Sequence, residues 1–210
     1  KKRFQLLGLG SLIVLMSISI GSIIYFGYTP IKDTILRKPT KLLLDGNWIK
    51  SQYGTPPISI ETPKVLLREE SINKESIIYF YGKNSEDFRI NLTFLEVDKE
   101  TNEKKSKEEQ DALLRKIMDF EVKSLEKKGA VNLLVQNDTY KTSDGTETLR
   151  LFGSMDLKND NSFDRYRFVS VIFPLDEVKI SLQIIFLKND IYGDQIEKRI
   201  FDSLEIIRKI

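Results

Sequence analysis

The sequence predicts an α+β fold carried on a single N-terminal transmembrane helix, with a mostly antiparallel sheet flanked by helices after it. Three observations point to this. No Asp, Glu, Lys or Arg occurs from Phe4 to Ile31. Beyond residue 46, short runs rich in β-branched and aromatic residues alternate with period two between Gly, Pro and Asn/Asp turn signals. Two segments of helical period, one central and one C-terminal, interrupt the strands.

A helix rises about 1.5 Å per residue, so about 20 apolar residues cross the hydrocarbon layer. Phe4–Ile31 is long enough. A signal peptide has a basic start, which Lys1, Lys2 and Arg3 supply, but its apolar region is roughly 7–15 residues and ends in a small-residue cleavage site. This stretch is longer, no Ala-x-Ala follows it, and a chain without cysteine has no lipoprotein anchor. Residues 1–31 are therefore expected to form a retained anchor, with Lys1, Lys2 and Arg3 at the lipid headgroups. Basic residues on the two sides nearly balance, these three against Lys32, Arg37, Lys38 and Lys41. The short basic tail favours a cytoplasmic N-terminus. That places the domain in the periplasm, on the inner (cytoplasmic) membrane; the alternative is a mitochondrial inner membrane with the domain in the intermembrane space. Within the span, Gly10, Ser17 and Gly21 lie at i, i+7 and i+11, a stripe of small residues where another helix can approach closely. It is the expected packing interface with other membrane-protein subunits.

Residues 32–45 read as a tether and 46–210 as one domain, ordinary in size and able to bury a core. The net charge of +2 conceals 30% charged residues of both signs in close alternation. No single-sign field results, which argues against nucleic acid as a partner. Short strands are predicted at Trp48–Tyr53, Ile58–Glu61 and Val65–Arg68. A hairpin follows, Ile77–Tyr81 with Phe88–Phe94; Phe88, Ile90, Leu92 and Phe94 share one face, while Arg89, Asn91 and Thr93 share a wet one. Ser106 with Glu109 has the form of a capping box, and Gly129 after Lys127-Lys128 has the form of a left-handed helix end. Between them Leu114, Ile117, Met118 and Leu125 keep helical spacing. Strands resume at Val131–Val135, Thr146–Leu157, Tyr166–Phe173 and Val178–Leu187, with a turn at Ser143-Asp144-Gly145. A C-terminal helix is predicted over Tyr192–Ile210 from Ile196, Ile200, Leu204 and Ile207.

The chemistry is read mostly by exclusion. The sequence has no histidine and no cysteine. This removes Ser-His-Asp and Cys-His nucleophile systems and the usual zinc and haem ligands. No glycine-rich phosphate loop or dinucleotide fingerprint is present. Asp156, Asn159, Asp160, Asn161 and Asp164 form one acidic cluster suited to a hard cation, but it lacks the turn glycine of calcium loops, and a hairpin loop accounts for it. The aromatic set Trp48, Tyr53, Tyr79, Phe80 and Tyr81 fits sheet packing better than a surface groove. No enzyme activity, cofactor or metal is expected.

Several short words in the domain fall in a familiar order. Trp48 and Thr62-Pro63-Lys64 come first, then a hairpin and a helix ending Gly129-Ala130. Thr142-Ser143-Asp144-Gly145-Thr146-Glu147 follows, then a long strand and Ile200-Phe201-Asp202-Ser203-Leu204-Glu205-Ile206. Over roughly residues 46–207 this resembles the PsbP-like domain, the α/β/α sandwich of an extrinsic photosystem II subunit, shared with a Ran-binding nuclear import factor and bacterial envelope proteins. The resemblance implies a non-catalytic accessory or assembly subunit of a membrane complex. Histidines that bind metal in photosynthetic members have no counterpart here, so no metal ligands carry over. The alternatives are a membrane-anchored ligand-binding envelope protein or a carboxylate-based hydrolase.

Overall fold

Strand pairing is organised around Val178–Leu187, a strand buried along its whole interior, which lies at the centre of a seven-stranded sheet. The structure, a computed structural model, describes residues 38–69, 76–82, 87–96, 107–159, 162–175 and 178–207. The predicted span, with Gly10, Ser17, Gly21, Lys1, Lys2 and Arg3, lies outside them. Among the described residues no helix is long and apolar enough to cross a membrane.

The chain divides into two compact units, residues 1–45 and 46–210. In the first, helix α1 (Pro39–Asp45) stands within the expected tether. Pro39 opens it, where a missing N–H costs nothing, and Lys41 pairs with Asp45 one turn on, at 2.8 Å.

Among the described residues the second unit holds ten strands in two sheets, where the sequence reads as a single mostly antiparallel sheet. Strands β1 (Ile49–Tyr53), β2 (Ile58–Thr62) and β10 (Glu205–Ile206) form a small sheet in the order β1-β2-β10. The large sheet contains β3 (Leu67–Glu69), β4 (Ser76–Tyr81), β5 (Phe88–Glu96), β6 (Val131–Lys141), β7 (Glu147–Asn159), β8 (Ser162–Pro174) and β9 (Val178–Leu187). Its order is β3-β4-β5-β9-β8-β7-β6. Every pairing is antiparallel. With helices α2 (Lys107–Lys127) and α3 (Ile191–Asp202) this is an α+β architecture.

Because side chains alternate, the register assigns each to a face. Phe88, Ile90, Leu92 and Phe94 pair with Phe186, Ile184, Leu182 and Ile180 on one face, and all eight are buried. Alpha-helix α3 covers that face near Phe186. Gly193 permits the approach, since a Cβ there would stand 2.3 Å from the Phe186 ring. The other face carries two apolar clusters. In one, Leu125 of α2 and Ala130 pack on Met155, Phe168 and Ile185. In the other, Ile117 packs on Leu151 and Ile172, with Met118 and Leu149 alongside. Each such side chain contributes about 1.5–3 kcal/mol when fully buried.

The end of α2 follows the sequence expectation. Gly129 has φ +91°. Its N–H donates to Glu126 O at 2.9 Å, and the Ala130 N–H donates to Leu125 O at 3.1 Å, satisfying carbonyls that the helix leaves open. The Gly129→Ala variant is expected to lose about 1 kcal/mol and a few degrees of Tm. With nothing within 4 Å of the new Cβ, the loss comes from the backbone alone, and a thermal melt reads it directly.

The C-terminal helix departs from expectation. It stops at Asp202 and does not run to Ile210. The Ser203 hydroxyl donates to Ile200 O and accepts from the Glu61 N–H, both at 2.8 Å. The chain then pairs with β2 through Glu205 and Ile206, and the Ile207 N–H donates to Pro57 O at 2.9 Å. An open strand edge supplies partners that a further helical turn would have had to find within itself.

Candidate functional site

Helix α2 lies over the β7, β8 and β9 side of its face and leaves part of the β4–β5 side open. A cleft of about 220 Å³ remains between helix and sheet. The period-two pattern builds its floor: Asn91 and Thr93 of β5 pair directly with Gln183 and Ser181 of β9. Lys179 continues the β9 row, and Ile78 and Leu95 form an apolar border. The roof follows from helical spacing, with Phe120, Glu121, Ser124 and Lys128 recurring on one side of α2 and its C-terminal turn.

The floor is polar and largely buried. Lys179, Ser181 and Gln183 are buried, as is Glu121 above them. Lys179 Nζ lies 3.2 Å from Glu121 Oε1, with side chains only 10% and 9% exposed, and 4.3 Å from the centre of the Phe120 ring. Gln183 Nε2 donates to Ser170 Oγ at 3.2 Å. Its Oε1 accepts from Lys128 Nζ at 3.5 Å. Lys128 is exposed as a residue, but its ammonium rests over the sheet. Desolvation pulls its pKa below the ordinary lysine value, Glu121 opposing and Arg89 adding to the shift. Phe120 remains 53% exposed at the mouth.

No family model matches the chain and no curated protein matches it. Similar solved structures include a protein from Bacteroides thetaiotaomicron, at 10% identity over 72% of this chain and 46% of that one, TM-score 0.39. A mutant form of the protein Mog1 is similar at 12% identity over 76% and 96% of the two chains, TM-score 0.39. LpqN, described as involved in cell envelope biogenesis of Mycobacterium tuberculosis, is similar at 10% identity over 79% and 95%, TM-score 0.39. The chain spans less than half the length of the first of these. The α+β class stands on the strand pairing itself.

The other candidates raised by the sequence take structural roles. Asp156 accepts from Asn132 Nδ2 and from Arg165, each at 2.8 Å, and these bonds hold its carboxyl below the usual range. Residues 160 and 161 lie outside the described residues. Among the described residues no three of the His, Cys, Asp and Glu side chains stand together as a metal set. Of the aromatic set, Tyr53 and Tyr79 pack at 5.1 Å, and Tyr79 meets Phe94 edge-on at 6.0 Å. The Tyr53 hydroxyl accepts from the Leu66 N–H at 2.9 Å. Trp48 is stacked under Arg199 at 4.0 Å, which a bidentate pair with Glu61 holds in place.

The sequence does not single out the cleft residues, because Lys179, Ser181 and Gln183 alternate with Val178, Ile180 and Leu182 as in any amphipathic strand. Two signals were present. The strand's other half is wholly apolar, as suits a central strand, and Glu121 stands four residues from both Ile117 and Leu125, inside the helix's apolar stripe.

Proposed function

We propose that this chain is a membrane-anchored, non-catalytic binding protein with a PsbP-like domain outside the cytoplasm, taking a small ligand in the cleft under α2. The observation that carries the reading is the largely buried polar floor beneath a half-open roof. Burying Lys179, Glu121, Ser181 and Gln183 costs stability that apolar residues of similar size would not. Polar groups converging at an apolar-rimmed cleft are the usual form of a ligand site. The lack of histidine and cysteine supports binding over catalysis. Gly10, Ser17 and Gly21 support the companion role of accessory subunit, with the span joining neighbouring helices.

Native mass spectrometry of the full chain, purified from its own cells in mild detergent, tests this. A bound small-molecule mass is expected with the wild type. It should be lost in the Ser181→Trp variant, whose indole fills the cleft. Retention of the mass in that variant, or no bound mass in either, rejects the cleft as the site. Protein partners should be lost when Gly10, Ser17 and Gly21 are changed to Leu, and partners that persist reject the span as the joint.

A further inference from the structure

Among the described residues, the charges that line the cleft do not cancel. Its lining holds two lysines and one glutamate, a surplus of one positive charge. Glu121 lies against Lys179 at 3.2 Å, whereas the hydrogen-bond partner of Lys128 is the neutral amide of Gln183, at 3.5 Å. Beyond the lining, Arg89 and Glu69 act on Lys128 with opposite sign. An occupant that closes the cleft strips more water from Lys128. An anion offsets that loss most fully, a neutral acceptor only in part, and a cation adds to it. The border of Ile78, Leu95 and Phe120 requires an apolar body attached to the anion. At about 220 Å³ the space is below the roughly 300–1,000 Å³ of sites for drug-sized ligands, so the occupant is small.

Building on the cleft as the binding site, we propose that its ligand is a small amphiphilic carboxylate. The carboxylate lies at Lys128 beside the Gln183 amide, with the Ser181 and Thr93 hydroxyls as further donors. The alkyl or aryl body lies along Ile78, Leu95 and Phe120.

The test uses the full chain in phosphatidylcholine nanodiscs, with Ile and Leu methyl groups labelled for NMR. Hexanoate, hexanol and hexylammonium are titrated separately. Hexanoate is expected to move the Ile78 and Leu95 methyl signals saturably, at least tenfold more tightly than the other two. Lys128→Gln should weaken it about tenfold or more, and Lys128→Glu should turn the preference to hexylammonium. Thermal melts of both variants are read alongside, which separates lost binding from lost folding. Equal binding of the three probes, a preference for the amine in the wild type, or unmoved Ile78 and Leu95 methyls overturns the proposal. So do the same shifts produced by phosphatidylglycerol nanodiscs alone, which would make the ligand a lipid headgroup. If hexanoate fails while the Ser181→Trp variant still loses a bound mass, the ligand class is wrong and the site stands. If both fail, the site falls with it.

Discussion

Replacing Lys179 by Met is expected to destabilise the domain by about 3–5 kcal/mol, the cost of leaving a buried carboxylate without its counter-ion. The geometry requires a large effect: Glu121 is only 9% exposed and its ammonium partner stands 3.2 Å away. The double variant Lys179→Met/Glu121→Leu should regain most of that loss or exceed the wild type, because desolvating two ions costs about as much as their attraction returns. Urea unfolding of the full chain in nanodiscs, followed by fluorescence of Trp48, the one tryptophan in the sequence, separates the outcomes. A shift in midpoint at constant slope reports stability itself. A single variant losing under 1 kcal/mol would mean that water reaches the pair. A double variant more stable than the wild type yet unable to bind hexanoate would tie the ion pair to binding.

Legibility from sequence followed the range of the interactions. Gly129, the turn at Ser143-Asp144-Gly145 and the β4–β5 hairpin were readable because a few adjacent residues decide them. The turn closes by the Gly145 N–H donating to Thr142 O and the Thr142 N–H donating to Thr146 O, each at 3.0 Å. The end of α3 was not readable: Ser203 and Ile206 answer to Glu61 and Ile58, far away along the chain, while the local period of Ile200, Leu204 and Ile207 continues past the helix. The wet face assigned to Arg89, Asn91 and Thr93 was half right. Asn91 and Thr93 are half-buried cleft residues, and Arg89 is buried with its guanidinium 5.3 Å from the Tyr166 ring centre. Alternation fixes which residues share a face but not what covers it. Cover is supplied by α2, whose placement depends on contacts between Leu125 and Met155 that no short window contains. The candidate site was hidden for the same reason, since its floor and roof come from β5, β9 and α2.

The Glu197→Gln variant is expected to be more stable than the wild type at pH 8, by on the order of 3 kcal/mol, and equal to it near pH 4. Glu197 lies on the buried side of α3, 7% exposed. Burial raises its pKa from 4.5 to about 7, with Asp194 adding to the rise and Arg167 and Arg150 opposing it. Arg167 Nη2 comes within 3.4 Å, but the carboxylate oxygen it approaches has no hydrogen-bond partner. Arg167 also serves Asp194 at 3.1 Å. A carboxyl whose folded pKa is raised binds more protons folded than unfolded across that window, so stability falls as pH rises from about 4.5 to about 7 and is level above it. Asp138 acts in the opposite direction. Its hydrogen bonds from Arg150 lower its pKa, so its contribution is present above the unfolded value and lost as pH falls. That term is common to both proteins and cancels in the difference. Unfolding free energies at pH 4, 6 and 8 should therefore diverge through the middle of the range. A difference independent of pH would mean that Glu197 titrates alike in the folded and unfolded chain, and a variant less stable than the wild type at pH 8 would place Glu197 as an ionised partner of Arg167.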